Sequence, residues 1–473
     1  MLIKWLTAKP SPNPKIFSPP LKSIKQFWFF PLIFAFSLFL FYPSLNYYFF
    51  QDDWFVLNWV RTGNLLSFFE FRTDIIYWRP ISMPIFFWIG EKIFGLNPLG
   101  FHLLSFIIHL FNVFLISIIS FLLFKNKKAA LITGLLYATS SFHFMTLSWL
   151  SLTWNAIGFF FFQISIIFYI LNRNRNSSSL YCGIIIFFLL SLVSTEFAIT
   201  FPMLIITLEF ILNAKSRKDY LSIIPVIAPI FIVIIAYLLS RTIFYPIPSK
   251  GEYELTLGLG VFKNLFWYGL WLFNLPEELK YQIILSKLHV TENFLNAARN
   301  YLQIIIFTAV INVILFFYIL GKVLNAKTIR LFITSVIFFI AGLLPVLFLA
   351  EHSFPYYLTI PSVLLFVFMG LTLSQYSQKY KSEKSTLLIV IFTISWLVTS
   401  HTTLALTKKI HWVTAEENLS RKYINIAHEK YPTLPTNLTI EIPNSGKQII
   451  QSLMDQNAMQ VIYNNDKVKT VYK

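Results

Sequence analysis

Charge is scarce in this chain: of 473 residues only 12% are Asp, Glu, Lys or Arg, against 56% hydrophobic. Soluble domains carry about twice that share of charge, so a water-soluble globule is excluded. A mean hydropathy of +0.65 identifies a polytopic membrane protein. Cysteine is nearly absent. The single Cys182 lies inside an apolar run, which excludes an intrachain disulfide framework and any cysteine-built metal site. Acids number 21 against 38 bases, for a net charge of +17. The bases fall in short clusters between apolar runs rather than on one face, so the excess reports membrane topology and no nucleic-acid partner is expected. There is no glycine-rich phosphate loop and no solenoid repeat. What is abundant is aromatic: 52 Phe, 23 Tyr and 12 Trp, which suits lipid-facing helices with aromatic belts at both interfaces.

Runs near the length of about 20 residues needed to cross a bilayer fall at 27–46, 100–124, 129–147, 153–172, 180–195, 197–213, 221–240, 302–321, 330–349, 356–375 and 386–404, which predicts eleven spans. Residues 1–26 carry five Lys, five Pro and no acid ahead of a run too long for a signal-peptide core, so they read as a cytoplasmic tail followed by an uncleaved anchor. With the N-terminus in the cytoplasm, Lys125 to Lys128, Arg173 with Arg175, Lys215 to Lys218, Lys322 to Arg330 and Lys379 to Lys384 all fall on the cytoplasmic side. The opposite short turns, around 143–153, 194–198 and 350–356, contain no Lys or Arg. The positive-inside rule is then obeyed at every short loop, in a plasma (inner) membrane.

The long segments face outward in this topology. In the first outer loop, 47–98, the stretches 54–72 and 81–95 are apolar on one side only and read as interfacial helices. The second, 241–301, opens on the Pro-rich Tyr245-Pro246-Ile247-Pro248 and reads as a lid or re-entrant element. The final stretch, 405–473, is polar, with helical patterns near 412–430 and 447–457, a strand at 438–442 and alternation after 459. It is expected to be a small α+β extracytoplasmic domain following the 27–404 transmembrane domain. The fold class is thus an all-α polytopic membrane protein with a small α+β appendage.

Topology makes a further prediction that was not put into it. Asp52, Asp53, Arg79, His143, Glu196, Arg241, Glu351 and His352 all land at outer helix ends or in outer loops, while Glu209 is the main dissenter, near the cytoplasmic end of its run. Helix ends are where charges belong, and that explains each residue singly. Acids at a membrane edge are costly, and an outer surface that gathers so many polar groups points to one shared cavity. His102, His109 and His143 have no metal-site spacing and read as polar groups at helix contacts.

Several stretches together resemble the membrane glycosyltransferases of the GT-C fold, in particular the protein O-mannosyltransferases and the bacterial polyprenyl-phosphate-sugar-dependent enzymes. They are Gln51-Asp52-Asp53, Tyr77-Trp78-Arg79-Pro80, Phe94-Gly95 with Asn97, His109-Leu110-Phe111-Asn112, Ser194-Thr195-Glu196-Phe197-Ala198 with Pro202, and Ala350 to Leu358 with Pro361-Ser362. Thr195 stands where relatives often have Lys, and the 350s stretch has no Arg. The resemblance implies transfer of a hexose such as mannose from a polyprenyl-phosphate donor, with inversion, to an acceptor protein, lipid or glycan on the outer face. It implies Asp52 as the catalytic carboxylate and Asp53 as its orienting partner or an acceptor or ion contact. Arg79 and Arg241 would bind phosphate, with hydrogen bonds from His352 and Tyr356, while Glu196, Glu351 and His143 support the cations or contact the sugar. No cofactor is expected. A divalent cation at Asp52 and Asp53 is the minor alternative, through oxygen ligands. A transporter or flippase for a lipid-linked saccharide would show paired repeats and helices broken at the midplane, which are not evident in the chain; a non-catalytic scaffold of envelope assembly is the third reading.

Overall fold

Each apolar run of the sequence becomes helical in the computed structural model, which describes residues 29–212, 221, 223–245, 251, 253–284, 289–290, 292–349 and 351–473. The tail at 1–26, the basic loop at 215–218, Pro246 to Pro248 and Ala350 lie outside the described residues. In chain order the helices are α1 (Phe30–Phe41), α2 (Asp52–Thr62), α3 (Phe86–Phe94), α4 (Pro98–Phe124), α5 (Lys127–Ala138), α6 (Phe144–Ser148), α7 (Thr153–Arg175) and α8 (Ser178–Leu192). They continue with α9 (Phe201–Ile211), α10 (Ile224–Phe244), α11 (Leu259–Leu272), α12 (Glu292–Val323), α13 (Ala326–Leu347), α14 (Val363–Tyr380), α15 (Glu383–Ile410) and α16 (Trp412–Lys430).

Local chemistry sets several of these boundaries. Asn97 accepts from the Leu99 amide ahead of Pro98 and opens α4, Asn126 accepts from the Ala129 amide to open α5, and Ser382 and Ser385 cap each other's backbone at the start of α15. Among the described residues, α4, α7, α10, α12, α13 and α15 are long and apolar enough to cross a membrane, and α5 with α6 forms a seventh such unit bent by 49°. The run at 27–46 yields a shorter helix with a 3-10 end, that at 180–195 also gives a short helix, and that at 197–213 becomes a 3-10 turn followed by the short α9. Phe does not merely coat the lipid face, as composition suggested. Phe49, Phe50, Phe87, Phe101, Phe159 and Phe162 are fully buried, because bulky rings also fill the spaces between helices.

At the centre stands α14, buried along nearly its whole length between α5, α12 and α13. Gly370 permits this: a Cβ there would meet Thr133 Oγ1 at 2.2 Å and the Ala129 carbonyl at 2.7 Å. The stretches expected to be interfacial form α2 and, for 81–95, a π-helical turn at Ile81–Ile85 running into α3. The π turn coincides with Pro84, which cannot donate to the ordinary ladder.

The C-terminal segment begins at the bend around His411 and folds as α16, strand β1 (Thr439–Ile442), α17 (Lys447–Ser452), α18 (Asn457–Ile462) and strand β2 (Lys469–Tyr472). The strands pair in parallel, Thr439 opposite Lys469 and Ile442 opposite Tyr472. The helix expected near 447–457 is thus two short ones, and the alternation after 459 is a strand only from Lys469. This unit grips α2: Trp54 Nε1 donates to Ser420 Oγ (2.9 Å), Asn58 Nδ2 to Gln460 Oε1 (2.7 Å), the Gln51 amide to the Ser452 carbonyl (2.9 Å), and Arg61 to Val461 and Asn464.

Candidate active site

Asp52 and Asp53 open α2 side by side and have opposite surroundings. Asp53 is fully buried and each of its oxygens is engaged. Oδ1 accepts from the Ser151 amide at 2.7 Å and Ser151 Oγ at 2.6 Å, and Oδ2 from the Phe50 amide at 3.3 Å. It pins the turn after α6 to the turn before α2. Asp52 is half-buried, and its side chain makes no hydrogen bond among the described residues. Burial raises both carboxyls. Asp52 is pushed up to about 6 against the pull of Arg79, and Asp53 rises above the carboxylate range against its hydrogen bonds to Ser151 and Phe50.

The cations converge on Glu196. Arg79 Nε donates to Glu196 Oε2 at 2.9 Å, its Nη2 lies 2.8 Å from the same oxygen, and Arg241 Nη1 reaches Oε1 at 3.3 Å. Burial acts to raise the Glu196 carboxyl, but the two guanidiniums outweigh it and hold it below its ordinary value. Arg79 is sandwiched by aromatic faces, 3.7 Å over Trp154 and 4.7 Å over Tyr77. The second guanidinium remains about one-third exposed, at 32%.

Distant segments meet here for identifiable local reasons. Thr195 caps the 3-10 turn that carries Glu196 by accepting from the Phe197 amide. That turn seats against α7 because Gly158 leaves room: a Cβ there would lie 2.2 Å from Thr195 Cγ2. Ser82 Oγ donates to the Ser194 carbonyl at 2.7 Å, fixing the Arg79 segment to the same turn. Phe71 stacks on Phe244 at 4.3 Å, and the Arg72 amide donates to Tyr245 Oη, which brings the end of α10, with Arg241, onto the segment between α2 and α3.

The loop before α14 forms the remaining wall. His352 packs on Tyr253 at 4.3 Å, and Tyr356 meets Trp154 edge-on at 6.2 Å. The Tyr356 phenol is hydrogen-bonded with that of Tyr357. Burial, reinforced by Lys280 and Arg79, pushes the His352 imidazole down to about 4, so it is neutral and offers a hydrogen bond rather than a charge. Glu351 is exposed, within electrostatic reach of Lys280. His143 does not join this group. Its Nε2 lies 3.0 Å from the Tyr137 carbonyl and its ring packs 4.5 Å from His109, inside the bent helix pair. A helix end in sequence is here a buried corner.

Sequence reasoning missed Trp154 and Lys280. Trp154 is one aromatic among many, with nothing in the chain to mark it. Lys280 is only 8% exposed and holds Ser353 through Oγ at 2.7 Å and the carbonyl at 3.2 Å, fastening the His352–Tyr357 loop from the segment between α11 and α12. A lone lysine in the apolar and acidic stretch Leu275 to Gln282 was the available signal. Among the described residues, no three His, Cys, Asp or Glu side chains converge as metal ligands. With Asp53 engaged by Ser151 and Phe50, the acidic pair offers one open carboxylate.

The sequence matches no protein-family model and no curated protein. Among solved structures it is similar to the archaeal oligosaccharyltransferase AglB from Archaeoglobus fulgidus in complex with an inhibitory peptide and a dolichol-phosphate. The TM-score is 0.50 and the identity 13%, over 95% of this chain and 65% of that one. A structure of the Archaeoglobus fulgidus oligosaccharyltransferase in complex with Zn and sulfate matches at TM-score 0.49 and 15% identity, over 94% of this chain and 62% of that one. The chain therefore spans less than two thirds of the length of either. Along nearly its entire length, the protein has the fold of that archaeal enzyme, the GT-C fold.

Proposed function

We propose that the protein is a membrane glycosyltransferase that moves a hexose such as mannose from a polyprenyl-phosphate donor to an acceptor hydroxyl at the outer face of a plasma membrane. The observation that carries this reading is the pairing of an uncommitted carboxylate, Asp52, with a guanidinium cradle that already holds one carboxylate, Glu196. Asp52 removes the acceptor's proton as the acceptor oxygen attacks the anomeric carbon from the face opposite the phosphate. The bond from that carbon to the phosphate oxygen breaks, its electron pair stays on the phosphate, and the sugar inverts. Arg79 and Arg241 meet the growing charge on the leaving phosphate, where preorganised donors act most strongly. His352 and the Tyr356 phenol add neutral hydrogen bonds, Glu196 orients both guanidiniums, and Asp53 fixes the turn that aims Asp52. Glu351 acts at the rim through Lys280, and His143 supports the fold from a distance.

In this reading the eleven runs are eleven crossings, the N-terminus is cytoplasmic, and residues 405–473 form the extracytoplasmic domain beside a 27–404 transmembrane domain. Short basic loops on one side support that orientation. The dolichol-phosphate held in the AglB complex is a polyprenyl phosphate, the class of lipid carrier that the proposed donor leaves behind. The decisive experiment supplies polyprenyl-phosphate hexose to the purified protein and to Asp52→Asn. A positioned general base contributes about a hundred- to ten-thousand-fold, so transfer should fall by that factor while folding and insertion are retained. Equal turnover by the variant would remove Asp52 from the chemistry.

A further inference from the structure

A second group of polar atoms lies next to Asp52 in the chain, where the C-terminal unit meets the segment that opens α2. Glu416, on α16, is 6% exposed, yet its Oε2 has no hydrogen-bond partner among the described residues. Its side chain is hydrogen-bonded with Gln51, the residue immediately before Asp52. Gln51 itself sits at φ +49°, a left-handed conformation that a glutamine adopts only at a cost of about 1–3 kcal/mol, and such strain is concentrated at functional sites.

Trp149 closes the group. Its ring stacks on Phe50 at 5.5 Å and meets Trp412 edge-on at 5.3 Å, and its Nε1 also has no partner among the described residues. Trp412 and Glu416 are one turn apart and share a face of α16. Both indoles are half-buried, while Trp149 Nε1 and Glu416 Oε2 are themselves buried. The junction therefore presents one unmet donor, one unmet acceptor and aromatic faces, next to the uncommitted carboxylate.

We infer that this junction is the acceptor subsite and that its ligand is a neutral carbohydrate, one of whose hydroxyls accepts from Trp149 Nε1 and donates to Glu416 Oε2 while the ring lies against Trp412. The class follows from the hydrogen-bonding needs. A hydroxyl donates and accepts at one atom, so it can satisfy both groups together. An ammonium only donates and leaves the indole N–H unmet. A phosphate or carboxylate only accepts and is repelled by Glu416. Leaving either group unmet costs about 1–3 kcal/mol. Burial raises the Glu416 carboxyl, and the hydrogen bond from Gln51 lowers it. A water molecule has the same donor and acceptor capacity as a hydroxyl but gains nothing from the aromatic faces.

That the carbohydrate is the acceptor rests on the proposed transfer reaction; its binding does not, and the test separates the two. Mannobiose, maltose and cellobiose are titrated into the full-length protein in nanodiscs without donor, followed by tryptophan fluorescence and calorimetry, with a Ser/Thr-containing peptide in parallel. At least one disaccharide should bind saturably. Affinity should fall at least tenfold in Trp412→Ala and Glu416→Gln and stay within threefold in Trp412→Phe. If saccharide binds as expected but no lipid-phosphate hexose is transferred, the transferase reading fails and the subsite stands. Absence of saturable binding, binding indifferent to Trp412→Ala and Glu416→Gln, peptide binding in place of saccharide, or an ordered water as the sole occupant would each overturn the subsite. Thermal unfolding of each variant identifies loss of fold, and Trp412→Phe with Glu416→Gln decides the matter if Trp412→Ala does not fold.

Discussion

Two Arg–Glu clusters among the described residues differ in what they leave unsatisfied. Glu209, the acid that sat on the wrong side of the sequence pattern, accepts from Tyr169 Oη at 2.6 Å and Arg173 Nε at 2.9 Å, and its side chain is 3% exposed. It closes a lock between α7 and α9 in which one carboxylate meets one guanidinium and one phenol. The Arg79–Glu196 pair is similar in chemistry, at 15% exposure for each side chain, but a second guanidinium shares the glutamate and Asp52 lies within electrostatic reach. A buried ion pair is thus weak evidence for a site. Surplus charge beside it is stronger evidence, because excess cation and an idle carboxylate have no structural use.

That contrast can be broken most forcefully at Arg79. Arg79→Ala leaves Glu196 with a weaker partner and should cost about 3–5 kcal/mol of stability, the usual penalty for breaking a buried pair, and abolish measurable transfer. Thermal unfolding and turnover would report the two losses separately. Glu209→Ala should carry a similar stability loss of about 3–5 kcal/mol while the specific activity of the folded fraction is unchanged; a fall in that activity would erase the distinction between lock and site. Arg241→Ala should be milder. Its guanidinium is partly solvated, so donor KM should rise about tenfold, equivalent to about 1.4 kcal/mol, with kcat changing little.

The smallest effect concerns pH. Because burial raises Asp52 to about 6, its ionised, base-competent form prevails above that value and is lost as pH falls through it. A plot of kcat/KM against pH should reach half its plateau near pH 6, and Asp52→Asn should flatten that limb. An inflection near the ordinary carboxylate range of about 4 would show Asp52 to be solvated in the working enzyme.

Much of the architecture was legible because apolar periodicity and length reflect a local requirement: backbone groups in a bilayer must bond within their own segment. The helix at 412–430 and helices within 54–72 and 81–95 could be drawn from pattern alone. Crossing counts were less secure, since α14 is amphiphilic at its end and α5 with α6 bends, and both are accommodated by neighbouring helices rather than by lipid. The site was legible as a set and not as a geometry. Asp52, Arg79, Glu196 and Arg241 could be selected by sidedness, whereas nothing in the residues Asp52-Asp53 says which is engaged by Ser151. Likewise His143 resembled its neighbours in sequence and proved to be a packing residue.

By itself, the sequence determined a helical membrane protein with basic loops segregated from acidic turns, because solvation acts on each segment separately. Tertiary structure alone decided which carboxylate is idle, which arginines share a partner, and that α16 brings Glu416 and Trp412 to Gln51. Those outcomes depend on contacts between residues far apart in the chain, as in the hydrogen bond from Trp54 to Ser420 at a separation of 366, and no local preference encodes them.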